Sequence, residues 1–296
     1  MAIEFVPAQA MTAPAPGFLR RLRRALRHDP LALAGVLVLF GLFVLAVFGS
    51  RIAPYPAQGE GASDVVARML PPSAAHLFGT DQLGRDVLSR VIVGVRSAVA
   101  VSLLVVGLAA GIGMPLGAIA GYRRGRVDGA IMRLTDLFLA FPPLLLAMAI
   151  VAALGPGLDH VALALAISWW PWYARLARGT AVSLREQPFV EAARSAGLSD
   201  RTILVRHIIP NSLTPILVQA TIDIGTVILA AGSLAFLGLG APPPAPDWGQ
   251  MVSEGRTFIL DQWWLSTFPG LAIFVSVLAV NVIGDLLRDM LDPRRR

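Results

Sequence analysis

The amino-acid sequence predicts an all-α polytopic membrane protein of six transmembrane helices with both termini in the cytoplasm. Three observations carry that expectation. The 296 residues are 55% hydrophobic and only 15% charged, with a mean hydropathy of +0.67, whereas a soluble domain carries about 25% charged residues. Six segments are apolar over the ~20 residues that a bilayer-crossing helix needs: 31–50, 97–121, 135–154, 158–176, 212–237 and 266–287. All 25 basic residues counted as Lys+Arg are arginines; with the N-terminus inside, nineteen fall in cytoplasmic segments and six in outer ones. That is the asymmetry of the positive-inside rule. A five-span chain with one re-entrant segment would put one terminus outside and spoil it.

Composition also excludes chemistries. The chain has no cysteine, which removes disulfides, thiolate metal sites and cysteine nucleophiles. The absence of lysine removes a P-loop and Schiff-base catalysis. Four histidines, at 28, 76, 160 and 207, are scattered and give neither a catalytic set nor a metal site. No enzyme activity and no bound cofactor are expected. The net charge of +6 follows membrane topology, so a nucleic-acid partner is not expected either.

The expected organisation is a cytoplasmic arm (1–30), a first transmembrane helix (31–50), an outer segment (51–94), a core (95–287) containing a cytoplasmic loop (177–211), and a cytoplasmic tail (288–296). The first span starts too late and runs too long for a cleavable leader. It lacks a glycine series and reads as a peripheral helix on a five-helix core. In the outer segment, Leu83, Val87, Leu88 and Val91 fall at helical spacing with Arg85, Asp86 and Arg90 between them. This predicts an amphipathic helix on the outer interface, with a gate or docking surface as the alternative. The second span carries Gly107, Gly111, Gly113, Gly117 and Gly121, two overlapping small-xxx-small series that let helix backbones approach in lipid. Pro115 is expected to bend it. Pro142-Pro143 should kink the third span. Trp169-Trp170-Pro171-Trp172-Tyr173 before Arg175 reads as an aromatic belt at the cytoplasmic interface, or alternatively as a stacking platform. Pro242-Pro-Pro-Ala-Pro246 makes the last outer loop stiff, and Trp263-Trp264 reads as an interfacial anchor for the sixth span. Asn281 and Asp285 read as helix–helix hydrogen-bonding and interfacial groups.

The loop 177–211 carries the most information. Pro188 suits a first helical position, Glu191 complements the helix dipole, and Gly197 suits the residue past the helix end. Phe189, Ala192, Ala193 and Ala196 fall on one small apolar face, fit for close docking against another protein. Ser199 is placed to cap a second short helix that Pro210 would end. A mere connector between helices would need only ~2–8 residues.

Glu191-Ala192-Ala193, Gly197 and His207-x-x-Pro210 resemble the EAA loop of permease subunits of bacterial ATP-binding-cassette importers. Phe78-Gly-Thr-Asp-Gln-Leu-Gly-Arg-Asp-Val-Leu-Ser-Arg90, Gly121-Tyr-Arg-Arg-Gly125 with Asp128, and Phe236-Leu-Gly-Leu-Gly240 with Pro246-Asp-Trp-Gly249 are similar to the dipeptide/oligopeptide/nickel group, in its shorter, six-span type. The resemblance spans residues 18–293. It implies a type I importer permease fold in the inner membrane and a periplasmic location for residues 51–94. It also implies a second homologous permease, two ATPase subunits that carry ATP and Mg, and an extracytoplasmic solute-binding protein as partners. Glu191 and Gly197 would couple to an ATPase, with Ala192 and Ala193 as contact face and Pro210 closing the motif. His207 stands where the broader motif has an apolar residue. The implied solutes are dipeptides or oligopeptides, with nickel complexes or glutathione-like compounds as the alternative.

One departure stands out. Where the family often has an acidic residue, this chain reads Ala230-Ala231-Gly232-Ser233-Leu234, and Asp223 lies two helical turns earlier. An aspartate at mid-span costs about 2.5–3.5 kcal/mol, so it should face the bundle or a wet path; it is the candidate lining of a translocation path. A stand-alone secondary carrier would need charge relays in several spans, and Asp223 is the only clear one.

Overall fold

The computed structural model describes residues 29–291. The expected arm with Arg20–Arg27, and the end of the tail, lie outside the described residues. The described residues are helical apart from loops and one isolated antiparallel bridge, Thr80 to Asp86.

Helix α1 (Pro30–Ile52) starts where the Asp29 carboxylate accepts from the Leu31 and Ala32 amides at 2.9 and 3.2 Å. It exposes Leu37, Phe40, Phe43 and Val47 and buries little beyond Ala32, Gly35 and Gly49, as a peripheral helix should. Helix α2 (Pro56–Gly59) and a 3-10 turn (Val65–Ala67) follow.

The expected interfacial helix is corrected. Residues 76–86 are not helical, and α3 (Val87–Arg123) begins at Val87, capped by Asp86, whose Oδ2 accepts from the Ser89 amide at 2.8 Å. Arg85, Asp86 and Arg90 are buried, at 4, 1 and 2% exposure, so these charges are internal. Asp81 partners the two arginines, accepting from Arg85 Nε at 2.6 Å with Arg90 Nε 3.7 Å away, and Asp86 pairs with His76 Nδ1 at 2.9 Å. Arg90 also donates to the Pro244 carbonyl at 3.3 Å.

At 1.5 Å per residue, α3 is about 55 Å long, and it stays helical through Pro115. Beyond it, α4 (Gly125–Leu139) and α5 (Pro143–Leu154) meet at 82°. The third predicted span is therefore two helices broken at Pro142-Pro143, where the ring removes a donor and blocks the preceding turn.

Helix α6 (Leu158–Arg185) runs past its predicted end. Its aromatic cluster sits in the middle, with Trp170 and Tyr173 buried, which corrects the interfacial-belt reading. Only one of the two glycine series forms the seam between α3 and α6. A Cβ on Gly113, Gly117 or Gly121 would stand 2.3, 2.1 or 2.5 Å from the carbonyl oxygens of Trp170, Ala174 and Arg178, whereas Gly107 and Gly111 face open space.

Helices α7 (Pro188–Ser195) and α8 (Asp200–Ile203) form the loop, then a π turn (Leu204–Ile208) leads directly into α9 (Ile209–Phe236). Pro210 therefore does not end the second helix. It lies in the first turn of α9, where the widened π turn accommodates a residue without an N–H. The loop before the last helix contains α10 (Trp248–Gly255), and α11 spans Trp264–Leu291. Trp264 is buried and donates from Nε1 to the Thr80 carbonyl at 3.3 Å; of the anchor pair, only Trp263 is exposed.

Among the described residues, four helical runs could cross a bilayer by length and apolarity (α1, α3, Asp200–Phe236 and α11), and a fifth if the bent pair α4–α5 counts as one. Helix α6 is as long as α11, but its Ser168–Arg178 stretch is less apolar. It spends its surface on protein contacts instead, lying against α3, α5 and α9. The core has three layers. The central one joins Val105, Ala109, Ala147, Leu165, Tyr173, Val227 and Leu234. One end layer is built on Val87, Trp248, Met251 and Trp264, and the opposite one on Ala118, Tyr122, Val190, Ile203 and Ile208.

Candidate functional site

Two places combine exposure with built geometry. The first is α7. Its N-terminus follows extended Gln187, whose carbonyl accepts from the Val190 and Glu191 amides at 3.0 and 3.3 Å, with Pro188 in the first turn and the Glu191 side chain exposed. Its end is a Schellman motif: the Leu198 amide donates to Ala193 O at 3.2 Å, the Gly197 amide donates to Arg194 O at 3.0 Å, and Gly197 has φ +81°. No atom lies within 4 Å of a Cβ built on Gly197, so backbone conformation, not space, selects glycine there.

The apolar face splits. Val190 is fully buried among Ala118, Tyr122, Ala181, Ile203 and Ile208, and Ala193 packs partly against the same cluster. Phe189, Ala192 and Ala196, with Glu191, remain exposed, and the Phe189 ring neighbours His207 at 6.3 Å. Val190 is the anchor that sequence reasoning missed. It sits between Phe189 and Glu191, one step off the spacing that was counted.

Polar ties fix this unit to the long helices. The Tyr122 hydroxyl donates to Asp200 Oδ1 at 2.7 Å, and Arg185 donates to the Tyr122 carbonyl at 2.6 Å with its guanidinium 5.8 Å from the ring. The same Tyr122 hydroxyl holds the Arg194 guanidinium above its ordinary pKa. Arg178 grips Asp128 with two bonds of 2.6 and 2.7 Å, and Arg175 pairs with Asp136 at 2.6 Å. These contacts seat α7 and α8 on the ends of α3 and α6, the Arg178–Asp128 and Arg175–Asp136 pairs join α6 to α4, and the π turn joins α8 to α9.

The second place is a cavity of about 520 Å³ between α6 and α9, lined by Trp169, Trp172, Arg175, Leu176, Gln219, Asp223 and Thr226. Asp223 is 7% exposed. Its Oδ1 accepts from Gln219 Nε2 at 3.0 Å. Its Oδ2 and the hydroxyl of Tyr173 are both buried, and the two side chains adjoin, the phenol interacting with the carboxylate. Sequence spacing could have found the wall: Trp169, Trp172 and Leu176 share one face of α6, and Gln219 and Asp223 stand four apart on α9. Asp223 lies fourteen residues beyond Ile209, about 21 Å along the helix, so the structure does not join it to the α7 set. Among the described residues, no group of three or more His, Asp or Glu could hold a metal ion.

Residues 113–296 match the family model described as binding-protein-dependent transport system inner membrane component. The chain belongs to that family of permeases. Residues 17–72 match a second model, the N-terminal TM domain of oligopeptide transport permease C. The permease is 45% identical over 269 residues to the probable D,D-dipeptide transport system permease protein DdpC of Escherichia coli strain K12, covering 91% of this chain and 89% of that one. It is also 45% identical over 293 residues to the glutathione transport system permease protein GsiD of Escherichia coli O6:K15:H31, covering 99% and 95%. A putative peptide transport system permease of Brucella abortus biovar 1 is 45% identical over 92% of this chain and 90% of its own. A solved structure of the MetNI methionine ABC transporter, in an inward-facing conformation, aligns with a TM-score of 0.53 at 19% identity, over 67% of this chain and 94% of that one. The permease thus has the type I ABC importer fold, and it is a multi-pass, non-catalytic component of the inner membrane.

Proposed function

We propose that this permease forms half of the translocation pathway of an ATP-driven importer for dipeptides, oligopeptides or a related small solute. The observation that carries the reading is the α7 unit: an exposed Phe189/Glu191/Ala192/Ala196 surface on a helix whose other side is locked to α3 and α6 through Val190 and Tyr122. Such a surface suits docking to an ATPase that performs the hydrolysis this chain has no residues for. Two ATPase subunits, carrying ATP and Mg, would receive one such helix from each of two homologous permeases. A solute-binding protein would deliver from outside, where the layer around Trp248 and Trp264 lies. In this role Glu191, Ala192, Ala193 and Gly197 form the coupling device, Pro210 lies behind it in the first turn of α9 after the π turn, and Asp223 lines the path.

Six spans, with both termini inside, accommodate this arrangement if α6 and the bent pair each cross the membrane as protein-covered segments. Lipid would cover α1, whose exposed face is Leu37, Phe40, Phe43 and Val47. The similarity to a glutathione-system permease favours glutathione-like compounds as the second reading of solute class.

The test is recovery of the tagged chain from its native membrane in mild detergent. Co-purification of a second permease and P-loop ATPases, lost on combined replacement of Glu191 and Gly197, is expected. Recovery of the chain alone, still able to transport, overturns the reading.

A further inference from the structure

We infer that the cavity between α6 and α9 recognises the ammonium-bearing end of the transported solute, held by the Asp223 carboxylate and the indoles of Trp169 and Trp172. The inference rests on the importer reading and specifies what the path recognises. A carboxylate at 7% exposure within an apolar layer is costly unless something compensates it. Gln219 satisfies Oδ1 alone. The groups on the carboxylate, Gln219 and the adjoining Tyr173 hydroxyl, are both neutral, so its negative charge is not neutralised by them. An ammonium group carries three donors and one positive charge, and so supplies the countercharge that these neutral partners do not. Two tryptophans on the cavity wall add faces that attract a cation within about 6 Å.

The lining also carries Arg175. Its ion pair with Asp136 uses one nitrogen and is about half exposed on both sides. A guanidinium has five donors in all, so several remain for a carboxylate or amide oxygen. A solute with an ammonium at one end and a carboxylate or peptide carbonyl further along therefore matches the two charged groups of the lining, Asp223 and Arg175. About 520 Å³ is within the range of small-molecule sites. A free metal ion matches it poorly, since only one carboxylate faces the space.

The experiment uses the complete permease–ATPase complex in nanodiscs without the solute-binding protein, so that the membrane part alone is read. Ligand-observed NMR titrations compare dialanine with N-acetyl-dialanine, which lacks the charge. The wild type is expected to bind dialanine at least tenfold more tightly. Asp223→Asn should reduce the preference below twofold, and Asp223→Glu should retain it. Trp172→Leu, at a half-exposed position that tolerates change, should weaken dialanine binding several-fold. Equal affinity for both compounds, no saturable binding of dialanine, or a preference that survives Asp223→Asn overturns the inference. Uptake by the full transporter reports separately on the importer reading. Uptake that requires Glu191 yet is indifferent to Asp223→Asn keeps the importer and removes the ammonium site, whereas a chain that carries solute without any ATPase removes both.

Discussion

Gly117 lies directly against the carbonyl oxygen of Ala174, so close that a Cβ built on Gly117 would stand 2.1 Å from it. The contact is backbone to backbone and has no side chain that could yield. Gly117→Ala is therefore expected to force α3 and α6 apart and to cost about 2 kcal/mol or more through overpacking. Gly111→Ala, on the same helix but facing open space, should change stability by less than about 0.5 kcal/mol. Thermal unfolding of the purified chain, followed by tryptophan fluorescence, separates the two.

Val190 is fully buried under α7, and the packing that holds the helix down runs through it. Val190→Ala should lose on the order of 2 kcal/mol locally, freeing α7 while leaving its exposed face unchanged. The expected result is ATP hydrolysis by the assembled complex with reduced solute uptake per ATP. Coupled assays in proteoliposomes read that ratio, and an unchanged ratio would remove Val190 from the transmission.

Gly197 needs φ +81° with nothing near its Cβ. Gly197→Ala should therefore cost about 1–2 kcal/mol from conformation alone, fraying the Schellman turn. Gly197→Asn should cost less, because asparagine tolerates the left-handed region. Amide hydrogen exchange over 188–198 is the check: faster exchange in the alanine variant than in the asparagine variant is expected.

The glycine seam and the α7 turn were legible in the sequence because each is a backbone requirement written as residue type. Glycine at i, i+4 and i+8 allows close approach, and a glycine after a helix allows positive φ. The sequence did not separate Gly113, Gly117 and Gly121 from Gly107 and Gly111, since the choice depends on where α6 lies. Arg85, Asp86 and Arg90 do not form the expected interfacial helix face because their partners are remote or on the other side of a turn. Asp81 folds back, and Pro244 and Glu254 come from the far end of the chain. Trp169 to Tyr173 were misread as a belt because composition cannot show that the helix continues twelve residues past Tyr173 to Arg185. The cavity around Asp223 needed two helices in register, although the aspartate itself was visible as a charge out of place.

Tyr122 ties the last turn of α3 to α8 through its hydroxyl bond to Asp200. Tyr122→Phe keeps the ring within the packed layer and removes that bond, an expected loss of about 1–2 kcal/mol because the acceptor is charged. If α8 relays α7 movement to α3, uptake should fall more than the stability does. Matched measurements of unfolding temperature and uptake test this; a proportional fall in both would reduce the bond to packing.

Asp81 is the hub of the opposite end. It accepts from Arg85 Nε and from the Leu83 and Arg85 amides at 2.6, 2.9 and 2.9 Å, and Arg90 lies within 3.7 Å. Arg85 also reaches Glu254 at 3.6 Å. Asp81→Asn would leave two buried guanidinium groups facing a neutral side chain, and losing one partner of a buried pair costs about 3–5 kcal/mol. Arg124 and Glu186 also form an ion pair, but they are 45 and 65% exposed, and water screens that contact to about 1 kcal/mol or less. Asp81→Asn should therefore lower the unfolding temperature far more than Arg124→Gln. The gap should persist in 0.5 M salt, because ions reach the exposed pair and not the buried one. Equal effects of the two substitutions would mean that water reaches Asp81 in the membrane-embedded protein and that the outer segment is held by its apolar contacts, Trp264 and Val87 among them, rather than by this cluster.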